Sequence, residues 1–567
     1  MAFYERFVTR SRDNFYTLDD LMKNFRITAD DTFNFSYDVI DELAKEMPDA
    51  LAMLWVGADN FERRFTFADI KRLTDKTANF LKSCGIKKGD KVMLVLKRGY
   101  QFWYAMQALN KIGAIAIPAT NQLMPKDFEY RCNVAGVKMI IVTGDGEVTE
   151  HFMEAKPDCT TVEVMAVTKG KRPEGDWLDF DAEVEAASDI WVKPTGDDYA
   201  CGDDPMLAFF TSGTTGYPKL VWHSCEYPLG HLFTGCFWHR VDPGGLHFTI
   251  SDTGWGKALW GKMYGQWMGE SAVFVYDFER FHAADILEKI EKYKITTFCA
   301  PPTMFRYMIQ EDLKKYDFSS LHQCTTAGEA LNPEVYNKWY KATGLKIFEG
   351  FGQTETTLCC LTVYPFMQPR LGSMGLPAPG YRLIVADPEG NECDPGVTGE
   401  ICIRTDEAGG GKPYGLFLGY YNDEELTQKV WHDDLYHTGD TAYRDEMGFL
   451  WYVGRTDDVI KSSGYRIGPF EVESAMMEHP AVLEVAVTGI PDPVRGQIVK
   501  ATVVLAAGYV GSAELAKELQ DYVKKATAPY KYPRKIEFVD SLPKSISGKI
   551  RRVEIREKDK LKAEGIQ

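Results

Sequence analysis

The sequence predicts an α/β fold: a large N-terminal domain of parallel-sheet α/β subdomains with a small antiparallel β unit, then a small, mobile C-terminal α+β domain. Three observations predict it. Apolar runs of strand length alternate with amphipathic helical stretches from Phe65 to Val142 and again from Ser271 to Ala300, as in a parallel sheet covered on both faces. From Gly372 to Arg404 the pattern changes to short strands joined by tight turns. After Gly454 it changes again, and 567 residues are too many for one compact core.

Taken in order, residues 1–60 read as helical and peripheral, with apolar residues at helical spacing over Asp38 to Met47. Thr66 to Leu81 reads as a helix, Lys91 to Leu96 as a buried strand, and Tyr100 to Ile112 as a helix. Ala114 to Pro118 and Val137 to Val142 read as further strands. Residues 145–205 are polar and weakly periodic and read as a link between two halves of the large domain. Met206 to Phe210 is a short apolar strand. The alternation resumes with a strand at Ser271 to Tyr276, a helix from Ala283 to Tyr293 and a strand at Thr296 to Ala300. Tyr381 to Ala386, a turn at Asp387-Pro-Glu-Gly390, and Gly399 to Arg404 form the antiparallel unit. The end of the chain supplies strands at Leu483 to Val487 and Val499 to Leu505, a helix from Ala513 to Lys525, and a basic tail.

Composition excludes several function classes. A net charge of -17 argues against nucleic acid and anionic membrane surfaces as partners. No apolar run approaches the ~18 residues of a membrane span. The N-terminus lacks a basic start and apolar core, so the expectation is a cytoplasmic enzyme without an integral membrane segment. Twelve cysteines lie scattered with no Cys-x-x-Cys and none after Cys402, which fits reduced thiols rather than disulfides or a zinc motif. A homodimer is left open.

Four clusters carry the chemistry. The first is Thr211-Ser-Gly-Thr-Thr-Gly-Tyr-Pro-Lys219, placed after a strand. Ligands of parallel sheets gather at that end of the strands. Glycines let backbone N–H groups wrap an anion, hydroxyls add donors, and Lys219 adds a charge. One lysine–phosphate pair at ~4 Å and an effective dielectric near 20 is of order ~4 kcal/mol before desolvation. It is not a P-loop, because Pro218 blocks the helix that a P-loop opens. The second cluster is Glu349-Gly-Phe-Gly-Gln-Thr-Glu355, an aromatic between glycines followed by oxygen ligands suited to Mg2+. The third is Tyr436-His-Thr-Gly-Asp440 with Gly454-Arg-Thr-Asp-Asp-Val-Ile-Lys-Ser-Ser-Gly-Tyr-Arg-Ile-Gly-Pro469, and the fourth is Pro543-Lys-Ser-Ile-Ser-Gly-Lys-Ile-Arg551.

In this order and at these separations, the four clusters resemble the AMP-forming acyl-CoA synthetases of the adenylate-forming superfamily. The likeness runs from about residue 35 to 555. Gly464 to Pro469, Pro491-Asp-Pro-Val-Arg-Gly496 and Ala528-Pro-Tyr-Lys-Tyr-Pro-Arg534 look most like the medium-chain branch.

Position by position, the resemblance implies that Thr211, Ser212, Gly213, Thr214, Thr215, Gly216 and Lys219 hold the phosphates of ATP. Gly328 and Glu329 face the adenine and the acyl group. Glu349, Gly350, Phe351, Gly352, Gln353 and Thr354 border the adenine and α-phosphate, and Glu355 holds Mg2+. Asp440 and Arg455 take the ribose hydroxyls, and Lys549 reaches the acyl carboxylate and the α-phosphate. Lys549, Lys219, Glu355 and Thr214 are thus the expected catalytic set.

Asp457 matches the hinge position, which divides the chain into 1–456 and 457–567. Ser463, Gly464 and Tyr465 match the pantetheine tunnel, while Arg466, Arg495, Lys524 and Arg534 are candidates for CoA phosphates. Relatives usually carry tyrosine where this chain has Phe351. Acetyl-specific relatives place a tryptophan at the position of Gly352, so the resemblance implies an acyl pocket larger than acetate, with Trp255 as wall or gate and Trp238 and Trp260 nearby in sequence.

The implied reaction has two steps. A small-molecule carboxylate attacks the α-phosphorus of ATP, giving acyl-AMP and pyrophosphate, and the CoA thiolate then displaces AMP. The first step joins two anions and needs cations at the developing charge. The second needs a face open to a long thiol arm, which a mobile small domain can supply. Medium-chain, branched and aryl acids fit equally. A stand-alone adenylation enzyme loading a carrier-protein thiol is the main alternative, and the basic residues Lys524, Lys531, Arg534 and Lys535 favour free CoA over it. A nucleotide-binding regulatory module without turnover is disfavoured by Lys549, Glu355 and Asp440. A dehydrogenase is disfavoured because no Gly-x-Gly-x-x-Gly follows a strand.

Overall fold

The computed structural model describes residues 2–211, 218–406, 411–463, 465–544 and 549–563, with the side chains of Arg466 and Ala563 left aside. Three sheets organise these residues. The first has eight strands. Its middle is parallel, with Lys91–Val95 between Ile115–Pro118 and Val137–Gly144. The apolar faces of these strands are shut by helices such as Phe67–Ser83 and Gln101–Ile112. The latter is buried along its whole length. The former starts at a Thr66–Asp69 capping box, which satisfies two backbone N–H groups at the helix start.

The segment 145–205 is more than a link. Val164–Gly170 and Trp177–Asp179 extend this sheet in parallel register, and Trp177 is fully buried. Short strands with polar flanks give too few apolar repeats to stand out in sequence. Residues 1–60 are not peripheral either. Leu51–Gly57 is a buried strand that pairs in parallel with Ala272–Asp277. Phe3, Phe7, Phe33 and Phe35 belong to the main core. Lys111 holds the 36–46 stretch down, its Nζ at 2.7 Å from Asp41 and 2.6 Å from Asp75.

The second sheet has fourteen strands. Its parallel half runs from Leu51–Gly57 through Ala272–Asp277, Leu246–Thr249, Thr297–Cys299 and Gln323–Ala327 to Ile347–Gly352. There the sheet turns antiparallel through Leu358–Leu361 and Ser373–Pro377. It continues without a break into Leu450–Arg455, Leu435–Arg444, Gly399–Arg404 and Leu383–Ala386. The antiparallel unit is therefore the far end of the second sheet, and it brings the Asp440 strand into line with the Glu349 strand.

The third sheet has five strands, all from Ile460 onward, with the helices Pro469–Met477 and Ala513–Ala526. Three of the five are only three or four residues long (Ile460–Ser462, Tyr465–Ile467, Lys535–Phe538), below the length at which alternation is legible. Among the described residues no helix is long and apolar enough to cross a membrane.

Candidate functional site

A cavity of about 1920 Å³ opens where the first two sheets and the C-terminal segment meet. The parallel strands Gln323–Ala327 and Ile347–Gly352 deliver Gly328, Glu329 and the run Glu349 to Glu355 to its wall. The antiparallel strands deliver Asp440 and Arg455. The first sheet delivers Thr211 and Lys219, and the C-terminal segment delivers Lys549. Residues from all four motif clusters thus reach one space.

Thr211 and Lys219 face each other across the neck of a hairpin formed by Pro205–Thr211 and Lys219–Ser224. A strand rather than the helix of a P-loop follows Pro218. Ser212, Gly213, Thr214, Thr215 and Gly216 lie outside the described residues. The Lys219 ammonium sits 5.1 Å above the Tyr420 ring. The hydroxyl of that tyrosine donates to Glu355 Oε1 at 2.9 Å.

Asp440 is the best-defined group. It lies opposite Arg455 in the register of two antiparallel strands. Oδ2 accepts from Gln353 Nε2 at 2.5 Å and from Arg455 Nη1 at 3.3 Å, and Oδ1 accepts from the Tyr452 hydroxyl at 3.2 Å. Burial raises the Asp440 carboxyl above its usual range despite the opposing pull of Arg455 and these hydrogen bonds. A desolvated carboxylate with unmet acceptor capacity suits a vicinal diol. Its loop is held from behind, where Glu400 Oε1 accepts from the Gly439 N–H at 2.8 Å. Gly439 has φ of 68°, and a Cβ there would come within 2.8 Å of Arg455 Nη2, so only glycine fits.

Glu349 is 7% exposed, and burial pushes its carboxyl up to about 8 against a hydrogen bond from the Leu331 N–H at 3.2 Å. Unfolding lets it ionise near 4.5, so the folded state holds an extra proton across that window. Its contribution to stability is full below 4.5 and is lost as pH rises through about 8. Glu349→Gln is expected to lose less thermal stability over that rise than the parent, and parallel curves in calorimetry would count against it.

Burial also raises the carboxyl of Glu355, opposed first by its hydrogen bond from Tyr420 and then by Lys219 and Arg455. Such a carboxylate gains from a hard cation, so the residues present fit Mg2+. Bound there, the ion would neutralise phosphate charge.

The acyl side differs from the sequence expectation in one respect. A Cβ on Gly352 would meet the Thr357 carbonyl oxygen at 2.4 Å. Glycine is required there by a close backbone approach, and its small size does not by itself measure the pocket. A Cβ on Gly350 would meet the Trp238 ring at 2.9 Å. Trp238 is fully buried, 6.1 Å from the Trp260 ring, while Trp255 lines the cavity. Phe351 lies 6.5 Å from the Tyr452 ring. Glu329 Oε2 accepts from the Thr303 hydroxyl at 2.8 Å, and Thr354 offers its carbonyl to His223 Nε2 at 2.8 Å.

Sequence reasoning missed three groups. Lys257 donates to the Ala327 carbonyl at 2.6 Å, with its ammonium 5.3 Å from the Trp260 ring and its pKa lowered by burial. Tyr452 and Tyr436 support Asp440, the latter by donating to Gln353 Oε1 at 2.8 Å. Tyr436 stood inside a quoted motif, so its period-2 position on the Asp440 strand was the available signal. Lys257 follows Trp255-Gly256 with no signal of its own.

Of the tunnel and CoA candidates, Ser463, Tyr465, Arg495, Lys524 and Arg534 do not line this cavity. Ser463 has φ of 51°, and its Oγ accepts from Arg495 Nη1 at 3.2 Å. Tyr465 is exposed and stacks on Tyr530 at 4.1 Å. Lys524 and Arg534 both sit over the Tyr532 ring, at 4.1 and 4.9 Å. Gly464 and the Arg466 side chain lie outside the described residues. Asp457 borders the cavity, 3.8 Å from Arg455 Nε.

Comparisons with known proteins agree with this geometry. Residues 40–421 match the family model of AMP-binding enzymes, and residues 471–549 match that of the AMP-binding enzyme C-terminal domain. The human acyl-coenzyme A synthetase ACSM3, mitochondrial, is 39% identical over 563 residues, 97% of this chain and 94% of the relative. The rat acyl-coenzyme A synthetase ACSM5, mitochondrial, is 41% identical over 541 residues, 93% and 91% of the two chains. Among solved structures, the anthranilate CoA ligase AuaEII with anthranoyl-AMP superposes with a TM-score of 0.84 at 27% identity, covering 94% of this chain and 99% of the other. The Brucella canis acyl-CoA synthetase gives 0.73 at 31% identity, covering 97% and 100%. Both halves of the chain match and the nucleotide-facing clusters converge, so the chain belongs to the AMP-binding enzyme family, as an AMP-forming acyl-CoA synthetase that uses ATP, Mg2+ and CoA.

Proposed function

We propose that the enzyme activates a carboxylic acid larger than acetate, of the medium-chain, branched or aryl class, and that the residues described above divide the two steps between them. The observation that carries the division is the position of Lys549. It lines the same cavity as Asp440, Glu355 and Lys219, and its charge is felt at Asp440 and Lys257. In this pose the chain presents its late lysine to the adenylation site, where Lys219 and Lys549 would meet the phosphates and Glu355 would hold Mg2+ to neutralise their charge.

The rest of the assignment follows. Thr211 to Lys219 binds the phosphates, Glu349 to Thr354 the adenine, and Asp440 with Arg455 the ribose. Gly328, Glu329 and Trp255 face the acid. Ser463, Tyr465, Arg495, Lys524 and Arg534 await CoA outside the cavity, so the second step needs residues 457–567 to turn about Asp457. Contacts across that boundary include Asn332 to the Ser474 carbonyl at 3.5 Å and Arg306 to Glu484 at 4.0 Å. Both are long, which suits a surface that must part. A reducing compartment suits twelve free cysteines. The cytoplasm meets that requirement, as does the mitochondrion named for the relatives. A homodimer is tested by light scattering.

Relatives named acyl-coenzyme A synthetases, the anthranilate CoA ligase neighbour and Trp255 on the cavity wall support this substrate class. Each CH₂ buried contributes roughly 0.8 kcal/mol, so burial alone should separate neighbouring chain lengths by about fourfold in kcat/KM. Pyrophosphate release across a panel of acids, with CoA as sole acceptor, tests this. Turnover on acetate alone overturns the acyl class, and turnover only with a carrier protein overturns the acceptor.

A further inference from the structure

On the wall beside Asp440 lies a side-chain cluster that the reaction leaves unused. Glu400 and Cys402 are two residues apart on the strand Gly399–Arg404, so both project from one face. Cys402 pairs in register with His437 on the strand Leu435–Arg444. His437 Nδ1 lies 3.1 Å from Glu400 Oε2 and 3.5 Å from Cys402 Sγ. One ligand atom from each residue falls within 4.8 Å of the other two. Tetrahedral zinc with bonds of ~2.0 Å to nitrogen and oxygen and ~2.3 Å to sulfur has ligand-to-ligand edges of about 3.3–3.6 Å. The Cys402–His437 distance of 3.5 Å falls within that range, and the Glu400–His437 distance of 3.1 Å lies just below it.

We propose that Glu400, Cys402 and His437 form a Zn2+ site, distinct from the Mg2+ position at Glu355. The donor set is one carboxylate oxygen, one imidazole nitrogen and one thiolate. Sulfur and imidazole select zinc and reject Mg2+, which takes oxygen ligands. All three side chains stand on two paired strands, whose register shifts between Glu400 and Cys402 so that both come to face His437. The entry path is the cavity, which Glu400 and His437 both line while Cys402 is buried behind them. His432 stacks on His437 at 4.3 Å and fixes the ring plane. His437 Nε2 has no hydrogen-bond partner among the described residues, so no second partner dictates the tautomer.

Binding releases the Cys402 thiol proton to solvent. The imidazole binds neutral through Nδ1, with its proton on Nε2. Glu400 coordinates through Oε2 and keeps Oε1 on the Gly439 N–H. The ion therefore ties the strand bearing Asp440 to its neighbour, and three protein ligands leave a fourth position facing the cavity.

The test uses the full-length enzyme, stripped with a chelator and free of nucleotide. Titration with Co2+ is expected to produce a thiolate-to-cobalt charge-transfer absorption that saturates at a single equivalent and is erased by Zn2+. Cys402→Ala and Cys402→Ser should lose the absorption while keeping acyl-AMP formation, which shows that they fold. His437→Phe should lose metal binding. Zn2+ should raise the Tm of the parent and of none of the three variants. An unchanged absorption in the Cys402 variants, or no saturable binding and no rise in Tm in the parent, overturns the site.

Discussion

Lys549→Ala is expected to lower acyl-AMP formation by about 100- to 1000-fold, the range for removing one preorganised group that meets developing charge. Thioester formation from supplied acyl-AMP and CoA should stay near the parent rate. The asymmetry follows from geometry. Lys549 shares the cavity with Asp440 and Glu355, whereas Ser463, Arg495, Lys524 and Arg534 lie outside it. A lysine needed where two anions meet has no task once the adenylate exists and the thiol arrives from another face. Single-turnover measurement of each half-reaction separates the two. Equal loss in both would falsify the division of labour.

Asp440→Ala is expected to raise the KM for ATP by about 100-fold, on the order of ~3 kcal/mol for two hydrogen bonds from ribose to a charged acceptor. The carboxylate already carries Gln353, Tyr452 and Arg455, and burial still raises its pKa. Removing it strips the diol of its acceptor and leaves Arg455 with the Thr438 carbonyl and Asp457 alone among the partners described. The sharper readout is coupling. 2′-Deoxy-ATP and 3′-deoxy-ATP should bind the parent more weakly than ATP, and that penalty should vanish in Asp440→Ala. A penalty of equal size in both enzymes would place the ribose elsewhere.

Much of the site was legible before any fold was known. Gly439, Asp440, Arg455, Glu349 and Glu355 stand in short motifs because each needs a fixed neighbour. Gly439 must have a positive φ beside Arg455, and Glu355 follows the strand that carries Glu349. The alternation of strands and helices was legible for the same reason, since long buried strands such as Lys91–Val95 and Ala272–Asp277 repeat a period. Hidden were the short strands at 164–170 and 177–179, whose flanks are polar, and the strand Leu51–Gly57, one of whose two partners lies more than two hundred residues away.

The sequence alone determined the fold class, the family and the order of the chemical groups, because these depend on local period and on spacing along the chain. Only the tertiary structure decided which groups share a space. It showed that Gly352 is small because the Thr357 carbonyl approaches it, that Lys257 reaches the Ala327 carbonyl, and that Cys402 faces His437 across two strands. Those are distances between residues remote in sequence or set by sheet register, and no pattern along one chain encodes them.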